Sequence, residues 1–410
     1  MHTTWWMKVR GIFCCTFILL SAILSSMYFL IPLLPLMFLN HTLWRRTIDR
    51  LIGFWIFMPC GLIEIFFGAR VTVSGIKIDH SEPALIIMNH RTCLDWLFFW
   101  IALIRIDPWL LTSQKISLKA IVRHLPGAGW AMALNAYMFL TRRFENDLAH
   151  IEKMIDYYAN SRHTYQLLLF PEGTDKDYRA TERSRQFALK QGLVHYSYVL
   201  HPRTTGFTVI LRKMRQVGYI RNIYDVTVAY ADAIVQSEFE LFSNGSCPKN
   251  IHFHVSKVDV DSLPENDDEL IALWLTNRWK AKEGKLAQFY HSDDAKHRAF
   301  KTDSNYDEIF ELTKIKFIAV YGAVVIFWVF TSVFLMYAFL CYHLQYLLAV
   351  LTITIFLGSQ FLLGGFEHVV MQAVKRSPQC ATGYEKREQK RIALSSGFSR
   401  LSSSEELLKK

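Results

Sequence analysis

Residues 11–39 contain no charged side chain, and this run constrains the chain more than any other feature. As a helix it is long enough to cross a hydrocarbon layer of about 30 Å, where every backbone polar group must be satisfied internally. A signal-peptide core would be shorter and followed by a small-residue cleavage site, so a retained anchor is expected. Pro32 and Pro35 predict a kink or an exit to the interface near its end. A second apolar run, 51–68, is interrupted by Pro59, Gly61 and Glu64. Since a charge inside a span is costly, it reads as a second crossing or a re-entrant hairpin, with the hairpin preferred. Runs 317–340 and 347–363 predict a helical hairpin. Lys314 and Lys316 precede it, Lys375 and Arg376 follow it, and its connector 341–346 has no Lys or Arg. The positive-inside rule then puts the intervening domain and the tail on the cytosolic side. A glycan on the Asn244-Gly-Ser246 sequon would contradict that side.

Between the apolar ends lies an ordinary middle. Short β-like runs at 71–73, 84–88, 137–141, 166–170, 225–230 and 251–255 are separated by helical stretches such as 94–106, 183–193 and 267–289. Strands alternating with helices predict an α/β fold with a mixed, largely parallel sheet flanked by helices, bracketed by N-terminal and C-terminal membrane helices. The expected organisation is an anchor at 1–70, an α/β domain at 71–300, a transmembrane hairpin at 301–375 and a disordered polar tail at 376–410. The formal net charge of +10 fits anionic lipid or a polyphosphate substrate. No zinc-finger, basic-zipper or RNA-recognition spacing is present, so no nucleic-acid partner is expected. The seven cysteines show no metal-ligand or redox spacing, which predicts free thiols and no metal.

The stretch Asn89-His90-Arg91-Thr92-Cys93-Leu94-Asp95 joins a buried-type strand to an apolar helix. On one continuous helix His90 and Asp95 would point about 140° apart. They meet only if His90 ends the strand and Asp95 opens the helix. There Asp95 can fix the imidazole tautomer while the other ring nitrogen takes a proton from a hydroxyl. No Gly-x-Ser-x-Gly elbow is present, so the acceptor alcohol itself would be the nucleophile. An isolated His-x4-Asp is more often a structural pair, and the reading depends on its context.

Phe170-Pro-Glu172-Gly173-Thr174-Asp175 supplies a strand-end loop in which Gly173 permits positive φ. A third strand ends in Arg142-Arg143, whose guanidinium forks suit a phosphate or a solvated edge. Lys115, Lys119 and Arg123 recur on a helical spacing and read as a basic face that borders CoA phosphates, rests on headgroups or is simply solvated.

In this order, Asn89-His90 with Asp95, Phe139 and Arg142, Glu172-Gly173-Thr174 and Pro202 resemble the motif blocks of the 1-acylglycerol-3-phosphate acyltransferase (glycerolipid acyltransferase) family. The likeness covers roughly residues 80–290 and is closest to its lysocardiolipin branch, through stretches such as His201-Pro-Arg-Thr-Thr-Gly-Phe207. It implies His90 as base and Asp95 as its orienting partner. It also implies that Asn89, Phe139, Arg142 and the Glu172–Gly173–Thr174 loop serve the phosphate-bearing acceptor, and that Pro202 shapes the acyl pocket or the site wall. The expected activity is acyl transfer from acyl-CoA, a co-substrate with no other cofactor, to a lysophospholipid hydroxyl in phospholipid synthesis or remodelling. The acceptor would be of lysocardiolipin, lysophosphatidylinositol or lysophosphatidylglycerol type, with lysophosphatidic acid the alternative and a silent lipid-binding scaffold the other-class alternative. The implied location is the endoplasmic reticulum membrane, with mitochondrial contact membranes second. Two positions depart from the family pattern. Ala136 stands where many members have glycine, and Asp175 where arginine is common.

Overall fold

A computed structural model of the chain describes residues 4–265, 267–301, 308–310 and 314–376. The expected polar tail lies outside the described residues, apart from Arg376. The first elements are helices α1 (Trp5–Ser25), α2 (Leu34–Leu39) and α3 (His41–Phe67), then strands β1 (Arg70–Gly75) and β2 (Ala84–Met88). Next come α4 (Asp95–Ile106), α5 (Leu110–Ser113), β3 (Gln114–Lys119), α6 (Ala128–Leu134), β4 (Met138–Leu140), α7 (Phe144–Asn160) and β5 (Gln166–Leu169). The second half has α8 (Tyr178–Lys190), α9 (Thr204–Gln216), β6 (Asn222–Tyr230), α10 (Glu238–Phe242), β7 (Asn250–Asp259) and α11 (Asp268–Phe289). The chain then runs through β8 (Glu308–Phe310), α12 (Lys314–Cys341), α13 (Leu344–Leu362) and α14 (Phe366–Arg376).

The strands form one sheet in the order β4-β3-β5-β2-β6-β7-β1-β8. From β4 to β6 all neighbours run parallel. The direction reverses between β6 and β7, β1 runs parallel to β7, and β8 returns antiparallel to β1. Parallel strands are covered on both faces, and β6 is buried at every residue. Its side chains alternate. Tyr230 reaches Asp95 of α4 on one face, while Asp225 and Thr227 meet Lys282 of α11 on the other. The carboxyl ends of five parallel strands therefore share one rim, where α/β sheets bind ligands.

The apolar helices belong to the same core as the sheet. One continuous cluster joins Cys14, Met37, Ile56, Tyr321 and Phe356 to strand residues such as Ile86 and Val226. Four helical segments, Trp5–Leu39, His41–Phe67, Ala319–Cys341 and Leu344–Leu362, are long and apolar enough to cross a membrane. Residues 26–33, a π-helical and a 3-10 turn, accommodate Pro32 within the first of these segments.

Two expectations need correction. The run 51–68 is no hairpin. It is the second half of α3, capped by the Asn40 side chain on the Leu43 N–H (3.0 Å) and stopped by Gly68 at φ +66°. Pro59 is held inside the helix, and the costly Glu64 is ion-paired with Arg105 from the last turn of α4. The basic series Lys115, Lys119, Arg123 is not a helix face: Lys115 and Lys119 lie on β3 and Arg123 in the 3-10 turn 120–124. Lys115 is fully buried, with Nζ 2.8 Å from both Asp49 Oδ1 of α3 and Asn135 Oδ1. A spacing of four residues recurs in strands by chance, and only the partner on α3 identifies this lysine.

Candidate active site

β2 delivers His90 at the sheet rim, and α4 begins at Asp95. Between them Thr92 Oγ1 accepts from the Leu94 N–H at 3.0 Å, which closes the turn. His90 Nδ1 lies 2.9 Å from Asp95 Oδ2. The same oxygen accepts the N–H groups of Arg91 and Thr92 at 2.6 and 3.0 Å, and Oδ1 accepts the hydroxyl of Tyr230. A carboxylate serving only as acceptor puts the proton on Nδ1 and leaves the lone pair on Nε2. The His90 ring stacks on Phe170, with centroids 4.1 Å apart. Two contacts therefore fix its orientation.

Glu172 does not face an acceptor. It is 3% exposed and sits beneath the site, where Oε1 accepts the His90 N–H (3.2 Å) and the Trp279 indole N–H (3.1 Å). Its Oε2 accepts the Leu200 N–H at 3.1 Å. Burial pushes its pKa up to about 7, against the opposing pull of these donors and of His90. An inward carboxylate also avoids repelling a phosphate; its place is to join β2, the post-β5 turn, the segment before α9 and α11. Asn89 is likewise internal: its amide donates to Val228 O at 3.1 Å and accepts from Val228 N at 2.9 Å, which locks β2 to β6. Phe139 is buried on β4, with the Arg123 guanidinium 5.3 Å from its ring centre. None of these three side chains reaches the rim's solvent side.

Other expected residues do lie at the rim. Gly173 has φ +75° and closes a turn through its N–H to Phe170 O at 2.9 Å. Thr174 follows on that turn, its hydroxyl 3.3 Å from Asp175 Oδ1. Arg142 is exposed just after β4 at φ +65°, a conformation costing a non-glycine residue roughly 1–2 kcal/mol. Burial of its surroundings, then the like charge of Arg203, hold its guanidinium below its ordinary pKa, with Asp175 opposing. Pro202 is half-buried and immediately precedes Arg203, whose N–H donates to Pro171 O at 2.7 Å. It shapes the junction of two rim loops, away from the apolar cavity described next. Ala136 takes φ +55°, which explains the glycine common there in the family.

An apolar cavity of about 430 Å³ opens beside this rim. Its walls come from α1 (Ala22), α3 (Trp55), α4 (Trp96 and Trp100), α6 (Ala131) and α12 (Trp328). Leu94 and Trp96, the neighbours of Asp95, both line it, so the cavity begins at the turn that carries the His–Asp pair. That size is typical of small-molecule sites.

Sequence reasoning missed Tyr230 and Trp279. Tyr230 ends a recognised strand, but its role follows only from β6 lying beside β2. Trp279 comes from α11, 107 residues from the carboxylate it contacts. Neither has a local signal.

The Acyltransferase family profile matches residues 70–231, and the Acyltransferase C-terminus profile matches 242–314. Lysophosphatidylinositol acyltransferase 10 of Caenorhabditis elegans is 47% identical over 264 residues, covering 64% of this chain and 67% of that one. Lysocardiolipin acyltransferase 1 of Gallus gallus is 42% identical over 281 residues, covering 68% and 73% respectively. The crystal structure of the 1-acyl-sn-glycerophosphate acyltransferase from Thermotoga maritima matches with TM-score 0.44 and 16% identity, over 72% of this chain and 100% of that one. With these identities across two thirds of curated relatives, the chain belongs to the glycerolipid acyltransferase family and is an acyl-transferring enzyme.

Proposed function

We propose that the enzyme transfers a fatty acyl group from acyl-CoA to a free hydroxyl of a lysophospholipid, with His90 as general base. The observation carrying this reading is the His90 Nδ1 to Asp95 Oδ2 contact of 2.9 Å beside an apolar cavity lined by Leu94 and Trp96. In the reaction His90 Nε2 takes the hydroxyl proton, and the acceptor oxygen attacks the thioester carbonyl. The carbon–sulfur bond then breaks, and the imidazolium returns the proton to the departing CoA thiolate. The products are the diacyl lipid and free CoA. Asp95 holds the tautomer and stabilises the imidazolium. The cavity would hold the acyl chain, and its walls of membrane helix would let both substrates enter from the bilayer.

Relatives named for lysophosphatidylinositol and lysocardiolipin support acceptors of that type. Basic residues flanking the C-terminal hairpin support a cytosolic catalytic domain, and the family likeness supports the endoplasmic reticulum as its location.

The test is CoA release by purified protein against a panel of lysophospholipids and acyl-CoAs. Transfer requires release only when an acceptor is added; release without acceptor would indicate a thioesterase. His90→Ala is expected to lower kcat at least about a hundredfold with the fold intact. Near-native turnover in that variant would remove His90 from the mechanism.

A further inference from the structure

A second cavity, also of about 430 Å³, lies among the membrane-length helices and shares no lining residue with the one beside the His–Asp turn. The end of α1 and the turn after it contribute Ile23 and Met27, and α13 contributes Ala349, Ile353 and Leu357. The segment between β3 and α6 supplies Arg123 and His124, and α6 supplies Trp130. The two cavities stand back to back. Ala22 and Ser26 face the first while Ile23 and Met27 face the second, and Val122 and Leu125 face the first while Arg123 and His124 face the second. Their common wall is sealed where Gly127 meets α1. Ser26 Oγ donates to Gly127 O at 3.0 Å, and a Cβ on Gly127 would stand 2.5 Å from Ile23 N. On the other side of the groove Trp130 stacks on Phe356, with ring centres 4.2 Å apart, which joins α6 to α13.

The groove is polar at one end only. Along α13 its lining runs from Ala349 to Gln360, about 16 Å of helix, which matches the depth of one leaflet in a hydrocarbon core of about 30 Å. The Ala349 end is apolar: Met27 packs with Leu24 and Leu335, and Ala349 rests on that cluster. At the other end Arg123 Nη1 donates to Gly364 O at 3.4 Å and pairs with Glu367 at 2.8 Å, which places the guanidinium just past the end of α13. Its Nε donates to Ala120 O at 3.2 Å. Among the described residues its Nη2 has no hydrogen-bond partner, and neither has the exposed His124 ring. The groove is open along its length, since Ile353 and Leu357 line it and are also exposed.

An open apolar groove along a membrane-length helix takes up surrounding lipid, because an empty gap leaves its walls without contacts. A free guanidinium nitrogen and an imidazole at the polar end suit a phosphate. A headgroup carrying its own cation would meet like charge there, so a lipid of net negative charge is favoured. We propose that this groove binds one anionic diacyl phospholipid of the surrounding bilayer. Its phosphate sits on Arg123 Nη2 and His124, and one fatty chain runs past Leu357 and Ile353 to Ala349 and Met27. The lipid is a structural ligand and not a reactant. It braces the segment 123–130, whose opposite face walls the cavity beside the His–Asp turn. The assignment is independent of what that other cavity holds.

The test is native mass spectrometry of the purified full chain in detergent, without acyl-CoA, titrated with phosphatidylglycerol or with phosphatidylcholine of the same chains. One phosphatidylglycerol is expected to bind with about fivefold preference or more, and to raise the Tm. Ala349→Trp fills the apolar end and should remove both effects. His124→Ala should cut the preference to about twofold or less. Ala131→Phe fills the other cavity instead, and should leave the bound lipid in place. Loss of the lipid in Ala131→Phe with retention in Ala349→Trp would put it in the other cavity and overturn the assignment. Equal binding of the two lipids overturns the anionic preference, and the lack of a one-to-one adduct overturns the site. A measurement on the parent protein covers the case in which Ala349→Trp does not fold. Phosphatidylglycerol with a photoreactive diazirine in one chain should label residues 349–357 or Met27. Labelling spread evenly over all four membrane-length helices is the pattern of a loose lipid annulus and overturns the site.

Discussion

At His90 the two ring nitrogens are given different tasks by one carboxylate that is itself saturated with donors. Asp95 receives the imidazole, two backbone N–H groups and the Tyr230 hydroxyl, so it has no capacity to bind a substrate group directly. The pair was legible in the sequence because both members sit on either side of one turn. Its supports were not, since Tyr230 and Trp279 arrive across the sheet. Glu172 shows the same limit: its residue type and loop suggested a substrate contact, whereas its three N–H partners turn it inward. Its carboxyl pKa, raised from 4.5 to about 7 by burial, makes a pH prediction. A group whose folded pKa is raised supports the fold fully below its unfolded pKa and loses that support as pH rises through the folded value. Stability from this residue should fall between pH 4.5 and about 7. Glu172→Gln removes the titration but sets an amide NH2 against an N–H donor, so it should be less stable than the parent near pH 4.5 and lose less stability between pH 4.5 and about 7. Thermal unfolding of both proteins across that range checks it; parallel curves would contradict it.

Among the elements, α3 has the most consequences. Its apolar sequence and its caps are readable, but its inner face carries Asp49, which accepts Arg45 at 2.7 Å, Lys115 at 2.8 Å and the Tyr165 hydroxyl at 3.0 Å. This ties a membrane-length helix to β3 and the start of β5. The strand β3 was not legible, because its lysines at 115 and 119 hide a buried segment behind apparently surface residues. Removing the shared carboxylate leaves two buried cations unpaired. Asp49→Ala is therefore expected to destabilise the protein by about 3–5 kcal/mol, measured as a loss of Tm in detergent. A shift as small as that of an exposed ion pair would mean that the contact is not buried in solution.

At the scale of the whole molecule, apolar helices and α/β unit together enclose the cavity beside the His–Asp turn, and neither part lines it alone. The parallel half of the sheet brings the polar rim to the cavity, while the reversed half, β7-β1-β8, continues the sheet on the other side of β6. The layered class of the fold followed from alternating strand and helix patterns. The cavity did not, because it depends on how helices from both ends of the chain close on the domain. Filling it at Ala131 with a larger side chain should shorten the acceptable acyl chain. Ala131→Phe is expected to cut transfer from long-chain acyl-CoA about tenfold or more while sparing short-chain donors, measured as a ratio of kcat/KM. An unchanged ratio would place the fatty chain elsewhere.

Trp328 belongs to α12, late in the polypeptide, yet it forms part of the wall around that cavity. During synthesis, His90 and Asp95 leave the ribosome more than two hundred residues earlier. A product ending within the α/β unit would lack the Trp328 wall of that cavity. If the cavity holds the acyl chain as proposed above, such a product would have no enclosed place for a fatty tail, and competence would wait until α12 has packed against the domain.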